Sequence, residues 1–178
     1  MRETLARARG QVQDRLAHPM LAQCGMDTEA GTFNTVNAYL TWDHDRLDKL
    51  LANVADLAQK GDAKHVERQL AHYERGMRRH MRIEEQILDQ LYAFDRTGAT
   101  KSPTQTLQAE HGEIARQLDE MHQAGAAHDL GKLNAKAVGL QAHIAGRHAR
   151  QQTELYPLVD SLLGAAEAQK LITRLRAE

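Results

Sequence analysis

The chain has 178 residues, 42% hydrophobic and 26% charged, enough apolar material for one ordinary core and outside the disordered range. Lys and Arg total 23 against 24 Asp and Glu, and the formal charge of -1 gives no electrostatic reason for a nucleic-acid or anionic-membrane partner. The single Cys24 excludes an intrachain disulfide and any four-thiolate zinc or iron–sulfur site, whereas ten histidines make the commonest metal ligand abundant.

In chain order, Met1 to His18 is helix-prone and Arg-bearing. Glu3, Asp14 and the lack of an apolar stretch fit neither a secretory nor a transit peptide, so a cytoplasmic setting is expected. No apolar run approaches the roughly eighteen residues of a membrane span. After an irregular lead-in from Pro19 to Gly31, a periodic segment from about Thr32 to Lys60 carries Phe33, Val36, Leu40, Leu47, Leu50, Leu51, Val54 and Leu57. A second segment, capped by Asp62, repeats at Val66, Leu70, Tyr73, Met77, Ile87, Leu88 and Leu91. Ser102-Pro103 is an N-cap and first-turn pair for a third, with Leu107, Ile114, Leu118 and Met121. The fourth, from about Asp129 to Leu163, carries Leu133, Val138, Leu140, Ile144, Leu155, Leu158, Val159 and Leu162.

Spacings of three and four predict amphipathic helices, and nothing alternates as a strand does. The expected fold is all-α: an up-down-up-down four-helix bundle over 32–165 with short flanking helices, a lead-in over 1–31 and a short C-terminal helix over 166–178.

Each apolar seam is interrupted by histidine. His44 lies between Leu40 and Leu47, His80 and Glu84 between Met77 and Ile87, and His111 between Leu107 and Ile114, while His143 and His148 flank the break after Ile144. Unpartnered imidazoles and carboxylates in a bundle core are costly. Antiparallel neighbours bring mid-helix residues to one level, and His-x3-Glu puts two ligands on one helix face. The six residues therefore form a candidate metal set. His18, His65, His72, His122 and His128 fall on predicted surfaces, loops or near termini. The seams also repeat: Glu110-His111-x-x-Ile114 follows Asp43-His44-x-x-Leu47 at an offset of 67, and Arg147-His148-x-Arg150 follows Arg79-His80-x-Arg82 at 68. Two similar hairpins are a natural source of a pseudo-twofold two-metal site.

This pattern resembles the hemerythrin-like family, the HHE cation-binding domain, over about residues 35–163. The matching pieces are Trp42-Asp43-His44-Asp45-Arg46-Leu47, the His80-Met81-Arg82-Ile83-Glu84-Glu85 run, Ala109-Glu110-His111-Gly112-Glu113-Ile114, and Leu155-Tyr156-Pro157-Leu158-Val159-Asp160. The resemblance implies a bundle around a non-haem iron centre, dinuclear or mononuclear, with an oxo or hydroxo bridge. Dioxygen or a similar small ligand is the implied partner, for storage, sensing or iron handling, and oligomeric state is left open. Alternatives are a peroxide- or nitric-oxide-processing di-iron enzyme and a metal-poor or metal-free helical interaction module.

The fourth helix departs from the family pattern, because Gln152 stands four residues after His148 where glutamate belongs. Anchoring on Tyr156-Pro157 instead places Arg147 and Gln151 at the ligand positions. One extra residue, expected near Ala145-Gly146 as a π-bulge, reconciles the offsets of 67 and 68. The His143-x4-His148 spacing is a further solution, since oxygen-carrying members place His and Asp five apart in this helix. Glutamine is a poorer donor and a poor bridge, and Arg147 beside the site disfavours a second divalent ion. Glu110 is a candidate for orienting an imidazole from behind.

Overall fold

A computed structural model describes residues 33–94 and 101–177. The expected N-terminal helix and lead-in, with Cys24, lie outside the described residues. Those described are helical apart from short connections, with no strand among them.

Helix α1, Val36–Gln59, starts where the Thr35 hydroxyl accepts from Ala38 N at 3.1 Å. Its first amides also donate to a distant carboxylate, Val36 N and Asn37 N to Asp160 at 2.7 and 3.1 Å, which ties the two ends of the sequence pattern together. Gly61, at φ 75°, supplies the left-handed turn that ends α1. Asp62 then caps α2, Ala63–Phe94, by accepting from His65 N at 3.2 Å. Helix α3, Lys101–Ala126, is already helical one residue ahead of Ser102, the expected cap. Asp129 caps α4, Leu130–Arg150, through Lys132 N at 2.9 Å. A π-helical turn, Gln151–Leu155, leads into α5, Tyr156–Ala177, which is broken at Gly164 (φ 71°, ψ 165°).

Helices α1 and α3 each pack against α2 and α4, and the short connections make sequence neighbours antiparallel, giving an all-α up-down-up-down bundle. Helix α5 packs against α1 and α2; beyond Gly164 it buries Ala168, Leu171, Ile172 and Leu175, and Arg79 donates to the Leu175 carbonyl at 2.6 Å.

The core has two apolar parts. One contains Leu47, Leu51, Tyr73, Met77, Ile114, Leu118, Leu140 and Ile144. The other contains Leu40, Ile83, Ile87, Leu107, Leu155, Tyr156 and Val159. Along α1, α2, α3 and the run from α4 into the π turn, the switch between them falls where the seam turns polar, so a layer of buried polar side chains is sandwiched between apolar walls.

Two expected seam residues lie outside it. Val138 is 52% and Leu162 38% exposed. In α4 the buried face runs Leu133, Ala137, Leu140, Ile144 at spacings of four, three and four, so small Ala137, not its larger neighbour Val138, takes the inward position. No helix among the described residues is long and apolar enough to cross a membrane.

Candidate metal centre

The first hairpin builds half of the polar layer. From α1 come Asp43 and His44, and from α2 come His80 and Glu84, one turn apart on the same face. Ligand atoms of His44, His80 and Glu84 all lie within 4.8 Å of one another, and all three residues are buried. The two imidazoles face each other through Nε2 atoms 3.0 Å apart, and His80 Nε2 is 3.6 Å from Glu84 Oε2.

Asp43 sits behind His80, its Oδ2 2.9 Å from Nδ1, and Arg46 Nε donates to its other oxygen at 2.8 Å. Burial works against the Asp43 carboxylate, but the His80 hydrogen bond and the His80 and Arg46 charges outweigh it and hold its pKa down. Burial likewise pulls the His80 pKa down, yet the Glu84 charge and the Asp43 hydrogen bond prevail and raise it to about 9. His44, buried beside the His80 and His148 rings, is driven far down and stays neutral.

The second hairpin converges on the same carboxylate. Glu84 Oε2 accepts from Arg147 Nη2 at 2.5 Å and lies 2.9 Å from His111 Nε2. Its Oε1 accepts from Gln151 Nε2 at 2.7 Å and from the Tyr156 hydroxyl at 2.5 Å. Burial alone would raise the Glu84 pKa, but the Arg147 charge, the His80 charge and the bond to His111 hold it well below its ordinary value. Tyr156, 3.0 Å from His44 Nε2, has its pKa raised by burial and by the Glu84 charge, so it remains a neutral donor. His111 is oriented from behind by Glu85, whose Oε1 is 2.8 Å from Nδ1.

Of the candidate residues, His44, His80, Glu84 and His111 are therefore brought together. His148 joins as a stacked ring, 3.6 Å from the His44 centroid and nearly parallel at 6°. Neither His148 nitrogen has a hydrogen-bond partner among the described residues, and Nδ1 is 3.5 Å from Asp48. His143 does not join: it is exposed on the outer face of α4, beside Arg116, Gln117 and Glu120. Glu110 turns from the imidazoles to Arg150 and Arg147.

The extra residue of the fourth helix is present, but at Gln151–Leu155 rather than near Ala145-Gly146, with Tyr156 N bonded back to the Gln151 carbonyl. The insertion thus follows the site instead of preceding it. Arg147 and Gln151, in register with His80 and Glu84 at the offset of 67, face the polar layer, while Gln152 contacts His44 Nδ1 at 3.2 Å from its edge.

Asp43, Glu85, Arg147, Gln151 and Tyr156 complete a layer that histidine spacing alone does not reveal. Acids flanking the ligand candidates in sequence were the available signal for the first two, and the Tyr156-Pro157 anchor for the others.

The donor chemistry fits one cation. Two imidazoles and a carboxylate on one side of the layer suit a divalent transition metal, with His111 adjacent. The opposite side holds a guanidinium and an amide that turns its N–H toward Glu84, leaving Gln151 Oε1 buried without a partner among the described residues. Neither group supplies the anionic donors that a second ion needs.

A family model described as the hemerythrin HHE cation binding domain matches residues 35–159. No curated protein and no solved structure matches the chain.

Proposed function

Because the chain belongs to the hemerythrin HHE cation-binding domain family, we propose that it is a cytoplasmic non-haem iron protein that holds iron inside its bundle and presents it to dioxygen or a related small ligand. The observation carrying this reading is the buried convergence of His44, His80 and Glu84, with ligand atoms within 4.8 Å. A histidine-rich, carboxylate-poor set suits ferrous iron with open positions. Iron there would supply reversible electron transfer to the small ligand.

The surrounding residues have definable tasks. Asp43 accepts the Nδ1 proton of His80, which leaves Nε2 to face the cation, and Glu85 stands in the same relation to His111. Tyr156 keeps its proton and donates it to Glu84 Oε1, fixing the carboxylate. Apolar walls above and below exclude bulk water. A cleft of about 360 Å³ between α3 and the end of α4 is lined in part by Arg147 and Gln151, both hydrogen-bonded to Glu84. Storage, sensing and iron handling all fit such a centre.

The test is ferrous loading under anaerobic conditions, removal of free metal, and iron analysis of the full chain. Retained iron that is lost in His80→Ala and kept in His143→Ala supports the reading. Failure to retain any iron overturns it. A second reading, a metal-free helical module, would then stand on the Arg147–Glu84 ion pair, which satisfies the carboxylate from within the protein.

A further inference from the structure

In the register of the structure the two hairpins correspond at an offset of 67, so that His44, His80 and Glu84 of the first match His111, Arg147 and Gln151 of the second. In the structure both sets meet at one carboxylate. His111 and Arg147 approach Glu84 Oε2, and Gln151 approaches Oε1. The position corresponding to His80 thus holds a permanent cation, and the position corresponding to Glu84 holds a neutral amide. Arg147 is 2% exposed, so its charge is not diluted by solvent. A guanidinium, unlike an ammonium or an imidazolium, is a fixed charge in proteins.

The alternative imidazole, His148, is held in the stack on His44. The π turn keeps it there: since the extra residue enters only from Gln151 onward, Arg147 rather than His148 remains in register with His80. A second divalent ion would have to sit against the guanidinium in a low-dielectric layer, compete with it for Glu84, and do so without a second carboxylate.

We infer that Arg147 is a resident cation standing in the place of a second metal ion, and that with Gln151 it limits the centre to the single ion at His44, His80 and Glu84. This rests on the iron reading above.

Anaerobic ferrous titration of the full chain, with iron counted after desalting and ferric samples examined by electron paramagnetic resonance, tests it. Wild type should saturate at one iron and show an isolated ferric signal. Arg147→His/Gln151→Glu, which restores His-x3-Glu, should rise to two irons, with loss of that signal as the ions couple. Gln151→Glu alone, which keeps the guanidinium, should stay at one.

Two irons in wild type or in Gln151→Glu overturn the inference and leave the iron reading standing. So does one iron in a double variant whose circular dichroism shows an intact helical fold. If the double variant does not fold, the counts for wild type and Gln151→Glu still decide. A wild-type chain that takes no iron overturns the iron reading itself and the inference with it.

Discussion

His80 Nδ1 lies 2.9 Å from Asp43 Oδ2, with both side chains fully buried. Asp43 immediately precedes His44, so one turn of α1 carries both a ligand candidate and the group that orients the ligand candidate on α2. Arg46, three residues on, closes the arrangement from the solvent side.

That contact sets a pH dependence for the metal-free chain. The His80 pKa is raised from 6.5 to about 9 in the fold, against burial, by Glu84 and Asp43. Its protonation therefore stabilises the fold fully below the unfolded value and ceases to do so as pH rises through about 9. Asp43→Asn removes one of the raising groups, so the loss should set in at lower pH. Thermal melts from about pH 6 to 10 check this; a variant that keeps the wild-type profile would show that Asp43 does not hold the His80 proton.

The Arg147–Glu84 pair makes a second prediction. With both partners 2% exposed, removing one takes from the other its closest ion-pair partner in the core. In the metal-free chain Arg147→Met and Glu84→Gln should each cost about 3–5 kcal/mol. The double variant should cost clearly less than the sum, because the same contact is lost in both single variants. Denaturant unfolding of the four proteins measures the coupling, and additive costs would mean that the pair is not a direct one.

The bundle was legible because helix period, a cap at Asp62 and short connections all point one way. His44, His80, Glu84 and His111 were legible because each replaces an apolar residue within an unbroken seam. The fourth helix was not. Arg147-His148 and Gln151-Gln152 are adjacent pairs, and neighbours on a helix differ by only about 100°, so a seam with one inserted residue admits either member. Where the insertion falls is a backbone event, and the turn ends on Leu155, which with Tyr156 and Val159 is buried in the second apolar wall. His143 illustrates the same limit: one position from buried Ile144, it faces solvent beside α3.

The fourth-helix register can be tested without any metal. Ala137 is fully buried among the first apolar cluster, whereas Val138 is 52% exposed. Ala137→Glu should therefore cost about 3 kcal/mol or more by burying an unpaired carboxylate. Val138→Glu should stay within about 0.5 kcal/mol of wild type. Equal effects, or the reverse order, in chemical denaturation would contradict this register and the placement of Arg147 that depends on it.

Two glycines inside helices should respond oppositely to alanine. At Gly139 an added Cβ meets nothing within 4 Å, so Gly139→Ala should stabilise by the helix-propensity gain of about 0.5–1 kcal/mol. At Gly76 the same atom would lie 2.9 Å from Leu47 Cδ2 and 3.4 Å from Arg46 Nη2. Leu47 is fully buried, and overpacking of this kind costs about 1–3 kcal/mol, which exceeds the helix gain. Gly76→Ala should thus be net destabilising. Because Arg46 is the partner of Asp43, pushing α1 away here should also loosen the carboxylate behind His80. Comparison of the two variants by denaturant midpoint, with the His80 imidazole followed by NMR, separates these effects. Equal stabilisation by both would mean that α1 and α2 do not approach each other at Gly76 as closely as 2.9 Å from an added Cβ to Leu47 implies.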